Sequence, residues 1–166
     1  SSLKQAYILI GIKKYSSKSK MRITQEKLYA IDVAMMNQRE NALADDNLGW
    51  RLETVVMSHL IRKCQYEEWD VYYLKERSAE CDFVVCSGNR VLQCIQVSYD
   101  ISNEKTLKRE INGLLLASRQ TKCENLLLLT DHEFDDIEKD GHHISIRPVY
   151  EWSVTFFNGE DLTCII

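Results

Sequence analysis

Polar side chains interrupt two apolar runs between residues 80 and 99. The runs read ECDFVVC (80–86) and VLQCIQVSY (91–99), with SGNR between them. A strand buried on both faces is nearly all apolar, and a buried polar group costs free energy unless something binds it. Asp82, Gln96 and Ser98 are therefore candidate binding residues. Carboxylate and amide oxygens are ligands that Mg²⁺ accepts, so the chemistry to consider is that of a divalent metal ion.

The turn between the two runs decides whether these residues meet. In an antiparallel pair, Asp82 lies opposite Gln96 only in the register that leaves a three-residue loop, 88–90. Such loops are common when a glycine or asparagine adopts the left-handed conformation. A two-residue loop would turn Gln96 to the other face unless a β-bulge intervened. We therefore predict a three-residue turn, and strand alternation that puts Glu80 and Asp82 on one face and Cys81 on the other.

The elements around this hairpin predict a mixed α/β sheet flanked by helices. An apolar stripe of period 3.6 predicts a helix from about Trp50, capped by Asp or Asn in 44–49, with Glu53 at its flank. Further strands are predicted over 71–75, 125–130 and 144–149, with a closing amphipathic segment. A helix over 104–121, capped by Ser102 or Asn103, connects the strands across the sheet.

The N-terminal segment is predicted to be a separate basic β-hairpin. Strands are expected over 6–15 and 22–32, with a short helical segment near 33–43 and a domain boundary between residues 44 and 45. Residues 1–27 carry a net charge of +6, whereas the remaining residues sum to −10. This asymmetry is typical either of a nucleic-acid contact or of a solvated loop. The candidate contact residues are Lys13, Lys14, Lys18, Lys20 and Arg22.

The remaining composition excludes several classes of protein. The longest apolar stretches are much shorter than the roughly 20 residues that span a bilayer, so no membrane span is expected. Six cysteines without a C-x-x-C pair predict reduced, buried thiols and a cytoplasmic protein. The sequence lacks an initiator Met and a signal-type start, so we expect it to be a fragment of a longer chain. The histidines near 132 and 142–143 are expected in a solvated hairpin rather than at a metal.

Taken together, these motifs resemble a known superfamily. A helix carrying Glu53, then a strand with Glu80-Cys81-Asp82-Phe83-Val84, then a strand ending Ile95-Gln96-Val97-Ser98-Tyr99, resembles the PD-(D/E)XK restriction-endonuclease-like superfamily. The stretches KLYAID (27–32) and GWRLE (49–53) extend this resemblance to the C-terminal region of bacterial and archaeal AAA-type ATP-binding proteins. The basic hairpin is similar to the end of a winged-helix-like segment in that region, so that 45–166 would be the restriction-endonuclease-like domain.

The resemblance implies roles for individual residues. Asp82 and Gln96, with Glu53 as a third ligand, would hold Mg²⁺ or Mn²⁺ beside a phosphate, and the metal is not needed for folding. The lysine that assists the attacking water in active members is replaced here by Ser98, and Lys75 is the nearest substitute. A serine has no charge to stabilise a hydroxide, so the site is expected to be degenerate.

Three functions therefore remain open from the sequence. The first is an accessory domain that contacts DNA and adjoins the ATPase module of its own full-length chain. The second is an active Mg²⁺-dependent nuclease that uses Glu53, Asp82 and Gln96. The third is a domain that only binds proteins. A purely structural interpretation is open as well, in which Asp82 accepts hydrogen bonds from amides and Glu80 pairs with a nearby Lys or Arg. No phosphate-binding loop of an ATPase occurs in the sequence.

Overall fold

The computed structural model describes residues 9–16, 26–32 and 45–157. Eight strands and three helices lie in these ranges. The strands are β1 (Leu9–Lys14), β2 (Glu26–Ala30), β3 (Trp69–Lys75), β4 (Glu80–Ser87), β5 (Arg90–Val97), β6 (Leu126–Thr130), β7 (Asp135–Lys139) and β8 (His142–Pro148). The helices are α1 (Asp45–Glu67), α2 (Glu104–Thr121) and α3 (Val149–Phe157).

All eight strands form one mixed sheet, in the order β2-β1-β3-β4-β5-β6-β8-β7. The pairs β1–β3, β5–β6 and β6–β8 are parallel, and the other pairs are antiparallel. The predicted mixed α/β sheet is therefore confirmed. Strand β1 joins the basic hairpin to β3, so the hairpin extends the same sheet. The predicted helical segment near 33–43 lies outside the described residues.

Two apolar layers cover the faces of the sheet. Helices α1 and α3 contribute Leu60 and Trp152 to one layer, which also contains Phe83. Helix α2 contributes Leu114 to the other layer, which contains Val84 and four buried thiols. Because both faces are covered, the central strands β4 and β5 are almost fully buried, as their apolar sequences predict.

The turn between β4 and β5 differs from the predicted three-residue loop. Ser87 pairs with Arg90, which leaves the two-residue turn 88–89, with Gly88 at a φ of 57°. A β-bulge between Val85 and Cys86 on β4 then shifts the pairing by one residue. Phe83 consequently lies opposite Ile95, and the next pair outward brings Asp82 level with Gln96. The bulge thus restores the register that the three-residue loop was expected to supply.

A second bulge lies at Asp82 itself. Tyr72 pairs with Val84 and Leu74 with Cys81, so residues 82 and 83 of β4 oppose a single residue of β3. Strict alternation is lost here, and Cys81 packs in the same layer as Val84 instead of the opposite one. The predicted alternation across 80–84 was therefore wrong, because an inserted residue changes the face of every residue beyond it.

Other element boundaries follow the sequence closely, with two exceptions. Helix α2 begins after Asn103, whose side chain accepts a hydrogen bond from the amide of Lys105, so Asn103 is the cap of the two candidates. Helix α1 begins at Asp45, a full turn before the expected start. Strand β7 was absent from the predicted order because its residues are mostly charged and exposed at the sheet edge.

Helix α2 approaches β4 unusually closely at Gly113. A Cβ added there would lie 2.2 Å from the backbone oxygen of Glu80 and 3.1 Å from Oε1 of Gln96. A glycine inside a helix costs roughly 1 kcal/mol relative to alanine. The close approach to the start of β4 explains why this position accepts that cost.

We therefore expect Gly113→Ala to destabilise the fold. The overpacking should cost roughly 1–3 kcal/mol, more than the gain in helix propensity. Thermal unfolding measures this as a lower Tm, by about 2–4 °C per kcal/mol for a chain of this size.

The matched control is Gly49→Ala in α1, where an added Cβ meets nothing within 4 Å. This variant should be neutral or gain roughly 0.5–1 kcal/mol. Equal Tm changes in the two variants would contradict the proposed close approach.

Candidate functional site

One pocket brings the four predicted site residues together. It has a volume of about 550 Å³ and lies where β4 begins and β5 ends. Glu53 reaches it from α1, Asp82 from the bulge in β4, and Gln96 and Ser98 from the end of β5. The fold therefore juxtaposes side chains that lie up to 45 residues apart in the sequence.

A lysine that was not among the predicted site residues lies at the centre of this group. The Nζ atom of Lys27, on β2, is 2.7 Å from Oε1 of Glu53, 2.9 Å from Oε1 of Glu80 and 3.0 Å from Oδ1 of Asp82. We call these four residues the Lys27 cluster. An ammonium has three N–H donors, so three carboxylates can use all of them.

Burial and charge act against each other in the Lys27 cluster. Burial alone would lower the pKa of Lys27, but the carboxylates of Asp82 and Glu53 outweigh it and hold the pKa above its ordinary value. Tyr29, two residues along the same strand, donates a 2.6 Å hydrogen bond to Oε1 of Glu53. Burial and the Glu53 carboxylate raise the pKa of Tyr29, which keeps its phenol protonated as a donor.

Asp82 is the most buried carboxylate of the Lys27 cluster. Its Oδ1 accepts from Lys27, and its Oδ2 accepts a 3.0 Å hydrogen bond from the amide of Val97. Burial, followed by repulsion from Glu53, raises the pKa of Asp82 well above its usual range, and Lys27 offsets only part of this. The structural interpretation that Asp82 accepts hydrogen bonds from amides therefore describes part of its role.

Gln96 connects the Lys27 cluster to helix α2. Its Oε1 accepts a 3.2 Å hydrogen bond from the amide of Asp82, and its Nε2 donates a 2.6 Å hydrogen bond to Oε2 of Glu110. Glu110 is 2% exposed, and its Oε1 accepts from Nε and from Nη2 of Arg109. A continuous series of hydrogen bonds thus runs from the cluster to an exposed guanidinium.

Ser98 and Lys75 do not supply the cation expected at this site. The hydroxyl of Ser98 donates to the backbone oxygen of Asp100 at 3.1 Å. Lys75 contacts Oε2 of Glu80 at 2.6 Å from the exposed side of the pocket. Burial opposes the charge of Glu80, but hydrogen bonds from Lys75 and Lys27 lower its pKa overall. The lysine beside Asp82 is Lys27, not the Lys75 substitute that the sequence suggested.

Basic and aromatic side chains line the mouth of the same pocket. Lys75, Arg77 and Arg109 are exposed there, and the rings of Trp50 and Tyr99 lie on its walls. The pocket therefore has an acidic floor neutralised by Lys27 and a basic, aromatic rim.

The predicted metal ligands do not fit a divalent ion in this arrangement. Lys27 occupies the space between the oxygens of Glu53 and Asp82, and Gln96 uses its oxygen for the amide of Asp82. Across residues 9–16, 26–32 and 45–157, no group of three or more His, Cys, Asp or Glu side chains is disposed to hold a metal ion. A metal here would first require Lys27 to leave the cluster.

Only part of the candidate nucleic-acid contact can be located. Lys13 is exposed and Lys14 is half-buried on β1, and Lys13 lies opposite Glu26 in the strand register. The other three residues, Lys18, Lys20 and Arg22, lie outside the described residues.

The other predicted side-chain environments follow the sequence. The five cysteines in the described ranges are free thiols, and four of them are buried. The histidines of the β7–β8 hairpin contact carboxylates, with His142 at 2.7 Å from Glu124 and His143 at 3.0 Å from Glu138. None of the described helices is long and apolar enough to cross a membrane.

Two residues of the site carried signals that the sequence reasoning did not use. Lys27 shares a strand face with the buried Tyr29, which is unusual for a solvent-exposed lysine. Glu110 lies three residues after Leu107 and four before Leu114, and therefore falls within the apolar stripe of α2. A charged residue on a buried face indicates a partner, but the sequence does not identify that partner.

We expect Lys27→Met to destabilise the fold, and more strongly at high pH. Without the ammonium, three close carboxylates have raised pKa values in the folded state and bind more protons than in the unfolded state. The free energy of unfolding therefore falls as the pH rises. Loss of one partner of such a group costs about 3 kcal/mol at neutral pH. Thermal melts in EDTA between about pH 5 and pH 8 test this.

Lys75→Met is the matched control, because Lys75 contacts Glu80 alone and its side chain is 58% exposed. It should cost less than about 1 kcal/mol at either pH. The same loss of Tm in both variants, independent of pH, would show that the Lys27 cluster is not a buried charge group.

The chain has recognisable relatives. It is 32% identical over 157 residues to the uncharacterized protein MJ1544 of Methanocaldococcus jannaschii, a match that covers 91% of this chain and 34% of that protein. The chain therefore spans about a third of the length of this relative. Residues 48–149, which include α1, the Lys27 partners and Gln96, match the family described as "Domain of unknown function (DUF4143)". This chain thus belongs to the DUF4143 family.

Proposed function

We propose that the chain is a restriction-endonuclease-like domain with a degenerate active site, which contacts DNA without cleaving it and serves as an accessory part of an AAA-type ATP-binding protein. The observation that carries this proposal is the position of Lys27. Its ammonium binds the carboxylates that an active member of the PD-(D/E)XK superfamily would use for a metal ion.

The arrangement of elements supports the restriction-endonuclease-like assignment. Glu53 comes from the helix that precedes the strands, Asp82 from the start of β4, and Gln96 from the end of β5. These are the positions that the PD-(D/E)XK resemblance implies, and all three side chains line one pocket. Likeness of fold never fixes activity, so the side chains themselves must decide whether the site cleaves.

The side chains favour a site that does not cleave. Ser98, where the resemblance expects a lysine, is neutral and bonded within its own turn to Asp100. Gln96 is already engaged with Asp82 and Glu110. The group therefore lacks an uncommitted base to activate water and an uncommitted cation to stabilise a pentavalent phosphate.

DNA contact is supported by charge. The basic hairpin carries most of the positive charge of the N-terminal segment, while the rest of the chain is acidic. The rim of the pocket adds Lys75, Arg77 and Arg109, beside the rings of Trp50 and Tyr99. Cations neutralise phosphates, and aromatic rings stack on unpaired bases.

The link to an ATPase module is supported by length. About two thirds of the archaeal relative lie outside its match to this chain, which leaves room for another module. A phosphate-binding loop is absent from the sequence of this chain, so nucleotide hydrolysis would belong to that module.

We expect the chain to bind duplex DNA with a steep dependence on salt. Neutralising Lys13, Lys14, Lys18 and Lys20 together to alanine should weaken binding, and each lost phosphate contact should reduce the slope of log K against log salt by about 0.9. Fluorescence anisotropy from about 50 to 200 mM salt measures both quantities.

The control removes four exposed lysines from other faces of the domain: Lys105, Lys108, Lys122 and Lys139. This variant has the same net charge as the first, so an equal loss of affinity would mean that total charge, and not the hairpin, determines binding. No binding by the parent chain would refute DNA contact and would favour a domain that binds only proteins.

A Mg²⁺-dependent nuclease at the same residues is the second candidate, and one observation favours it. Lys27 lies 3.0 Å from Asp82 and brings to the site the positive charge that Ser98 lacks. In the first function, Lys27 fills the site; in the second, it takes the role of the lysine expected at 98.

A plasmid cleavage assay separates these two functions. With Mg²⁺ or Mn²⁺ titrated into the parent chain, we expect supercoiled plasmid to stay intact. Cleavage by the parent that disappears in Asp82→Ala would establish the nuclease and refute the degenerate site. Cleavage that persists in Asp82→Ala would come from a contaminant and would leave the expected result standing.

A further inference from the structure

The metal site expected from the sequence and the lysine found at its centre disagree, and the geometry of the disagreement is informative. Three oxygens from three different carboxylates lie 2.7–3.0 Å from Nζ of Lys27. Hard divalent cations favour an all-oxygen shell of this kind, with Mg²⁺–oxygen distances of about 2.1 Å. The shell around Nζ would need to contract by roughly 0.6–0.9 Å to suit such an ion.

The cation and its carboxylates come from different parts of the fold. Glu53 lies on α1, and Glu80 and Asp82 lie on the central strand β4. Lys27 lies on β2, the edge strand, which pairs with β1 alone in the sheet. The carboxylates therefore keep their supports when the lysine side chain is removed: Val97 still donates to Asp82 and Tyr29 to Glu53.

A second cation approaches the same carboxylates from the other side. Lys75 binds Oε2 of Glu80 at 2.6 Å, but it contacts neither Glu53 nor Asp82 in the described structure. Its side chain is 58% exposed, against 25% for Lys27. Lys27 is thus the cation placed to compete with a metal ion for all three carboxylates.

We propose that Lys27 is a tethered counter-ion that excludes divalent metal ions from Glu53, Glu80 and Asp82, and that these carboxylates bind one Mn²⁺ or Mg²⁺ once the ammonium is removed. The ammonium supplies one positive charge to three carboxylates, which leaves the group with a net negative charge. A divalent ion compensates that charge more completely, but it cannot enter while Nζ occupies the centre. This inference rests on the Lys27 cluster and is independent of DNA contact.

The test is a Mn²⁺ titration of the parent chain and of Lys27→Met, followed by electron paramagnetic resonance of the free ion. Methionine is close to lysine in length and has no charge. We expect Lys27→Met to bind one Mn²⁺ at least tenfold more tightly than the parent. Binding should be lost again in the double variant Lys27→Met/Asp82→Asn. Lys75→Met, the matched control, should behave as the parent does.

Two results would overturn the inference. One is equal Mn²⁺ affinity in the parent and in Lys27→Met, and the other is tight binding that survives Asp82→Asn. If Lys27→Met does not fold without metal, added Mn²⁺ should restore a cooperative melt, because a ligand of the folded state stabilises it. Failure of Mn²⁺ to restore that melt would also overturn the inference.

Discussion

The ammonium of Lys27 lies among three carboxylates that arrive from two other parts of the fold, and the pocket depends on this one group of contacts. The edge strand β2, the helix α1 and the central strand β4 meet at its Nζ. Taking charges out of water is expensive, and their attraction compensates only when the geometry is good. Here the three distances are at most 3.0 Å, and Tyr29 fixes Glu53 with a further hydrogen bond. The cluster therefore links the hairpin to the sheet through charge as well as through strand pairing.

Local irregularities of the sheet bring Asp82 to this position. A regular strand would continue to pair backbone to backbone at the start of β4. The bulge opposite β3 instead leaves Asp82 free to accept from the amide of Val97 with its own carboxylate. The side chain takes the place of a backbone acceptor where the ladder ends. An aspartate in a core strand thus satisfies one backbone donor and one buried ammonium together.

The sequence predicted elements well and contacts between distant elements poorly. Long apolar periodicity identified α1, α2 and the central strands, because a pattern repeated over many residues reports burial directly. The order of polar residues also identified Glu53, Asp82, Gln96 and Ser98 as neighbours. The turn at 88–89 and the two bulges were not predicted, since a single inserted residue has no periodic signal. The register between Asp82 and Gln96 was still right, because one irregularity compensated for the other.

Lys27 was missed for a different physical reason. On an edge strand that follows a basic segment, its charge is indistinguishable from those of its solvated neighbours until the fold brings Glu53 and Asp82 to it. The same holds for Glu110, whose partner Gln96 lies 14 residues away on another element. Partners across a sheet leave no local pattern, so burial of a charge can be suspected from the sequence but its compensation cannot.

The amide at position 96 has its own explanation. As a metal ligand it is a weaker choice than a glutamate, yet the structure uses both ends of the amide. Oε1 accepts from the amide of Asp82, and Nε2 donates to Oε2 of Glu110 at 2.6 Å. A glutamate here would bring a carboxylate against the buried carboxylate of Glu110, where like charges repel strongly. Gln96 therefore satisfies the hydrogen-bonding requirements of β4 and α2, and the neutral side chain follows from its place between a donor and an acid.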